Sequence, residues 1–231
     1  MNYIAPLELS NHPNHAQYIN ASVIWLHGLG ADGYDFEPIA NHLLRPGGLP
    51  NARFILPHAP EISVTRNNGY IMPAWYDIYG ITPLSKEDAE GIEVSRQYIQ
   101  QLIENEIRRG IPSQRIVLAG FSQGGAIALH TALREPKQLG AVLALSTYLP
   151  LKAKLATEKH AANFHTPIFM AHGVWDDIIT LEMAQSSRDM LVQQHYSVSW
   201  HEYNMAHSVN NQEITDIERF LQQVLHQDLV E

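Results

Sequence analysis

Three short stretches of the sequence carry side chains that could do chemistry together. Gly120-Phe121-Ser122-Gln123-Gly124 fits the pattern G-x-S-x-G. "VWDD" (174–177) holds two adjacent carboxylates, and "NMAHSVN" (204–210) holds His207. A serine hydroxyl is a weak nucleophile until a base takes its proton, and an imidazole base needs an acid to fix its tautomer. Serine, then aspartate, then histidine is a chain order that can supply all three for attack on an acyl carbonyl.

Position has to choose among thirteen histidines. His12, His15 and His27 precede the serine, and His130 falls inside the segment that follows it. His160, His165 and His172 precede or abut the aspartates. His195, His201 and His226 fall in a helix end, a strand and the C-terminal tail. His207 follows the acid in a loop after an apolar run. Between Asp176 and Asp177 the spacing makes no choice.

Acyl transfer also needs donors for the developing oxyanion. One is the backbone N–H of Gln123, directly after the serine. A second is expected from the loop after an early strand, and "HGLGADG" (27–33) supplies it, with the Leu29 N–H as the donor. The same loop fits G-x-G-x-x-G, a dinucleotide pattern. No acidic residue ends a second strand about 20 residues on, so that reading lacks its partner. A metal site built from "NHPNH", or from His172 with Asp176 and Asp177, lacks a helical His-x-x-x-His or a three-ligand strand cluster.

These residues need a scaffold that brings distant loops together. Short apolar runs at 22–28, 52–60, 115–120, 141–146, 167–173 and 197–203 suit strands covered on both faces. Between them, 86–109, 123–134, 181–194 and 211–226 show helical spacing. In the first of these Ser85 is placed to cap the start, and Arg108, Arg109 and Gly110 to end it. Alternating strands and helices imply a mostly parallel sheet with helices on both faces, whose site lies at the carboxyl ends of the strands. Ser122, Asp176/Asp177 and His207 all sit just after such runs. In that setting Phe121 is expected to point away from the serine into core packing.

Composition narrows the field further. The 231 residues are 45% hydrophobic, enough for one core, and the expectation is a single domain over 1–231. A formal net charge of -9 disfavours nucleic acid and anionic membrane surfaces. The absence of cysteine removes disulfides, thiolate metal sites, a cysteine nucleophile and cysteine lipidation. No secretory leader pattern or bilayer-spanning run is present, and the expectation is a cytoplasmic protein with no integral membrane segment.

Taken together, "HGLGADG", "LPHAP", "VTRNNGYIMPAWYDI", "GIPSQRIVLAGFSQGGAIAL", "LSTYLPL", "HGVWDDII" and "MAHS" resemble the acyl-protein thioesterase / bacterial carboxylesterase family of α/β-hydrolases, also described as lysophospholipase-like. The resemblance covers nearly the whole chain. It implies an α/β-hydrolase fold with a short flap in place of a large lid. It implies Ser122 as nucleophile, His207 as base and Asp176, rather than Asp177, as acid, with Leu29 and Gln123 at the oxyanion positions. It further implies that Ile78, Tyr79 and Ile81 form a flap over the acyl chain and that Trp75 walls the pocket. Tyr148 stands where family members often carry tryptophan, which would alter acyl fit. The implied activity is hydrolysis of esters or thioesters of short to medium acyl chains without a cofactor. Lysophospholipase activity is the alternative, and a non-catalytic acyl-binding module on the same fold is the rival of another class. Expected partners are a small acyl substrate, a lipid or lipidated protein, and a second copy in a homodimer.

Overall fold

The structure is a computed structural model, and it describes residues 3–80 and 85–226. The apolar runs become parallel strands. These are β2 (Ala21–Leu26), β3 (Ala52–Leu56), β6 (Ile116–Phe121), β7 (Ala141–Leu145), β8 (Ile168–Gly173) and β9 (Val198–Tyr203). With β1 (Leu7–Leu9), which is antiparallel to β3, they form a seven-stranded sheet in the order β1-β3-β2-β6-β7-β8-β9. Every residue of β2, β3, β7 and β8 is buried. That is why these strands read as unbroken apolar runs rather than as alternating ones.

Alternation survives in three dimensions as two cores, one on each face of the sheet. Ile24, Leu26, Ile116 and Leu118 share one core; Val23, Trp25, Val117 and Ala119 share the other. The first is covered by α2 (Ala89–Arg108) through Ile92, Ile99 and Ile103, by α3 (Gln123–Ala132) through Ile127 and Leu129, and by Leu191 of α5 (Leu181–Gln193). The second is covered by α1 (Glu37–Leu43) through Ala40 and Leu43, and by α6 (Asn211–His226) through Ile217, Leu221 and Leu225. A short α4 (Leu155–Glu158) adds Leu155 to the first core. A mostly parallel sheet with helices on both faces is the arrangement the sequence implied.

Three features depart from that reading. The first helix of the expected set starts at Ala89 rather than 86, because Glu87 is held extended in an isolated bridge to Ile78. Its cap is Asp88, not Ser85: one carboxylate oxygen accepts the Gly91 N–H at 3.0 Å, and the other accepts the Asp77 N–H at 2.9 Å. The third feature is a hairpin of β4 (Glu61–Val64) and β5 (Tyr70–Pro73), which stands apart from the main sheet. Its partly exposed strands carry too little apolar signal to be read from the sequence. At the far end of α2, Gly110 adopts φ 95°, a helix-ending conformation that glycine takes without strain. Among the described residues, no helix is long and apolar enough to cross a membrane.

Candidate active site

The carboxyl ends of β2, β6, β8 and β9 converge on Ser122. The chain leaves β6, turns sharply and enters α3, and Ser122 sits at the turn with φ 54° and ψ -122°. This is the left-handed side of backbone space, costly for a residue with a Cβ. Two contacts hold it there. The Ser122 N–H donates to the Leu145 carbonyl at 2.9 Å, and the Ser122 carbonyl accepts from the Thr147 hydroxyl at 2.6 Å. The flanking glycines are a steric condition of the turn. A Cβ on Gly120 would lie 2.4 Å from the Gly124 backbone, and one on Gly124 would lie 2.4 Å from the His27 carbonyl. Neither gap admits even alanine without moving the backbone.

His207 arrives from the loop after β9. Its Nε2 is 2.9 Å from Ser122 Oγ, and its Nδ1 is 2.6 Å from Asp176 Oδ2. The carboxylate only accepts, so Nδ1 carries the proton and Nε2 is left to accept the serine hydroxyl proton. Asp176, in the loop after β8, is buried and Asp177 is exposed. The second oxygen of Asp176 accepts the Ile178 and Ile179 N–H groups, both at 2.9 Å. Burial opposes the charge on Asp176. The hydrogen bonds from His207, Ile179 and Ile178 outweigh it, and the carboxyl is held below its ordinary range. His172, at the end of β8, donates Nε2–H to the Ile179 carbonyl at 2.7 Å and stands 3.4 Å from Asp176 Oδ2. Burial depresses its pKa, so it faces the carboxylate as a neutral ring.

The glycine loop runs close to Ser122. A Cβ on Gly28 would come 3.5 Å from Ser122 Cβ. Gly30, at φ 77°, donates its N–H to the Pro73 carbonyl at 2.8 Å and so ties the loop to β5. Among the described residues, neither the Leu29 N–H nor the Gln123 N–H donates to an intramolecular acceptor. The Gln123 N–H begins α3, where the helix dipole favours negative charge.

The structure redistributes several other expected roles. The Gln123 side chain, not only its backbone, is engaged. Its Oε1 accepts the Trp75 N–H at 2.9 Å and its Nε2 donates to the Tyr76 carbonyl at 2.7 Å. Trp75 is fully buried, and its indole N–H donates to the His27 carbonyl at 2.8 Å. It is therefore a strut beneath the glycine loop and not a pocket wall, because a polar ring edge with a buried acceptor is held inward. Phe121 packs on Phe36 as expected of core packing. Its ring also lies 4.7 Å from that of His207, so it borders the site as well.

A cavity of about 400 Å³ is lined by Gly80, Ser85, Tyr148, Leu149, Thr180 and Met183 among others; Ser122, Asp176 and His207 are not among its lining residues. Tyr148 is the expected pocket residue that the structure places there. Its hydroxyl is 2.7 Å from that of Tyr76. Ile78 is buried in the bridge to Glu87, so it is packed inward instead of covering a chain, whereas Tyr79 is exposed. Ile81 lies outside the described residues. No group of three or more histidines and carboxylates among the described residues is placed to hold a metal ion.

Comparison with known proteins agrees with this architecture. The profile of the phospholipase/carboxylesterase family matches residues 13–225. The chain is 42% identical to acyl-protein thioesterase 1 of Neurospora crassa over 209 residues, covering 87% of this chain and 85% of that one. It is 37% identical to acyl-protein thioesterase 1 of Yarrowia lipolytica, covering 88% and 91%. Among solved structures, SOBER1 of Arabidopsis thaliana superposes with a TM-score of 0.85 at 30% identity, covering 89% of this chain and 99% of that one. Acyl-protein thioesterase 2 of Zea mays superposes with a TM-score of 0.80 at 27% identity, covering 90% and 94%.

Proposed function

The chain belongs to the phospholipase/carboxylesterase family of α/β-hydrolases and is a hydrolase; from that premise we propose that it cleaves carboxylic esters or thioesters of short to medium acyl chains through an acyl-enzyme on Ser122. The observation that carries the proposal is the unbroken relay of 2.9 Å from Ser122 to His207 and 2.6 Å from His207 to Asp176.

The reaction follows from who can hold a proton. His207 Nε2 takes the hydroxyl proton as Ser122 Oγ bonds to the acyl carbon. The imidazolium so formed is stabilised by Asp176, whose own three hydrogen bonds keep it ionised. The carbonyl oxygen becomes an oxyanion facing the Leu29 and Gln123 N–H groups. His207 returns its proton to the departing alcohol or thiol. Water then attacks the acyl-enzyme by the same route, and the free acid leaves. Every proton is carried by His207, so the cycle needs no cofactor.

We assign the acyl group to the cavity lined by Tyr148. At about 400 Å³ it is near the small end of ligand pockets, which favours one chain of modest length. The relatives named acyl-protein thioesterase support the thioester side of the proposal. Lysophospholipid is the second substrate class, since it also presents a single acyl ester. The test is a series of esters and thioesters from two to sixteen acyl carbons, alongside a lysophospholipid, with Ser122→Ala as control. The proposal expects highest kcat/KM at short to medium length and only residual turnover in the control. A maximum on lysophospholipid would replace the substrate assignment, and an active control would end the acyl-enzyme route.

A further inference from the structure

His27 lies before the glycine loop, is completely buried and takes no part in the proton relay. Its partners nevertheless fix its state. Nε2 accepts the Ala59 N–H at 3.0 Å. A backbone N–H only donates, so Nε2 carries no proton and the ring proton is on Nδ1. That proton points at the Gly28 carbonyl, 2.7 Å away. Burial pushes the ring's pKa down to about 4, so the same neutral tautomer persists across working pH.

The consequence lies on the other side of one peptide bond. In a trans peptide the carbonyl of residue i and the N–H of residue i+1 are coplanar and point in opposite directions. Holding the Gly28 oxygen therefore aims the Leu29 N–H the opposite way. A Cβ on Gly28 would lie 3.5 Å from Ser122 Cβ, so this peptide runs close to the serine and its rotation decides what donor the serine's substrate meets. The only other hydrogen bond to the Gly28 oxygen among the described residues is the longer one from Ala31 N–H, at 3.3 Å. The His27 carbonyl is fixed in turn by the Trp75 indole N–H at 2.8 Å.

We propose that His27 is a positioning residue that sets the oxyanion hole: by donating Nδ1–H to the Gly28 carbonyl it locks the Gly28–Leu29 peptide with the Leu29 N–H turned toward the reacting carbonyl. The inference rests on the reading of Leu29 as an oxyanion donor. It acts through that backbone group and does not touch the substrate. A ring locked on both nitrogens costs no rearrangement when charge develops, which is the condition under which a donor contributes most.

Two variants separate the two hydrogen bonds. His27→Gln places an acceptor near the Nε2 position and keeps the Ala59 contact while losing the donor to Gly28. His27→Asn places a donor near the Nδ1 position and keeps the Gly28 contact while losing the acceptor. With a short-chain ester, His27→Gln should lose about 10²-fold in kcat with KM little changed, the cost typical of one oxyanion donor. His27→Asn should recover about tenfold or more of that loss. An alkylboronic acid, which forms a tetrahedral adduct on serine, should bind His27→Gln more weakly in the same proportion. Equal losses in both variants, or a loss confined to KM, would show His27 to be scaffolding only and overturn the inference. Equal boronate affinity in wild type and Ser122→Ala would remove the oxyanion reading beneath it, a different failure. Should a variant not fold, ¹⁵N NMR of the wild-type imidazole decides: a proton on Nδ1 supports the inference and a proton on Nε2 overturns it.

Discussion

The two sides of the cleft are built on different terms. On the side formed by the loops after β8 and β9, Asp176 spends both oxygens, accepting Ile178 and Ile179 N–H on one and His207 on the other. On the opposite side, formed by residues 75–80 and 148–149, hydrogen bonds hold the backbone. The cavity is faced there by Tyr148 and Leu149 and closed from α5 by Met183, with one phenol pair between Tyr148 and Tyr76. One side leaves little freedom to its side chains; the other leaves room for substitution without breaking the frame. In the proposed function, reaction chemistry belongs to the first and acyl selection to the second.

The largest expected effect tests the first side. Asp176→Asn should reverse the His207 tautomer and cost on the order of 10⁴ in kcat. Asp177→Asn, on the exposed neighbour, should stay within about twofold. Comparable losses in the two variants would erase the distinction between a buried relay acid and a turn residue.

The frame of the second side depends on the Gln123 carboxamide, which bridges to Trp75 and Tyr76. Gln123→Ala leaves a buried N–H and a buried carbonyl unpaired, at about 1–3 kcal/mol each. A fall in Tm of roughly 5–15 °C is expected, read by calorimetry. An unchanged Tm would show that the frame does not need this bridge.

A pH-dependent effect sharpens the view of the first side. Glu213 begins α6, the helix after the His207 loop, and is buried with no hydrogen-bond partner for either carboxylate oxygen among the described residues. Burial raises its pKa from 4.5 to about 8. An acid whose folded pKa is raised binds an extra proton in the folded state between those values. Its contribution to stability is complete below about pH 4.5 and is lost as pH rises through about 8. Glu213→Gln should therefore leave stability near pH 4.5 almost unchanged and raise it by on the order of a few kcal/mol at pH 9. Equal effects at both pH values in denaturant titrations would contradict this.

The smallest change belongs to the second side. Tyr148→Phe removes the hydroxyl bonded to Tyr76 and should cost about 1 kcal/mol in stability. Its kinetic effect should be a shift in the ratio of kcat/KM between short and long acyl esters. A uniform loss across chain lengths would move Tyr148 out of the acyl site.

The same contrast explains what could be read in advance. The buried parallel strands and helices α2, α3, α5 and α6 announced themselves because continuous apolar runs and helical spacing are direct imprints of two covered faces. Ser122, Asp176/Asp177 and His207 were legible because each follows such a run. The choice of Asp176 over Asp177 was not contained in spacing; it is visible as burial. The inward turn of Trp75, the Gln123 bridge and the locked tautomer of His27 were invisible because each depends on a partner far along the chain. The β4–β5 hairpin was missed because its half-exposed strands lack the apolar signal that marks the main sheet.

The central claim is that Ser122 is activated by His207, which Asp176 holds in place. Its most direct test is labelling with a fluorophosphonate, followed by intact-mass and peptide analysis. Wild type should gain one equivalent of label on the peptide carrying Ser122, His207→Ala should label far more slowly, and Ser122→Ala should not label. A wild type that stays unlabelled, or a Ser122→Ala variant labelled to the same extent, would contradict the account.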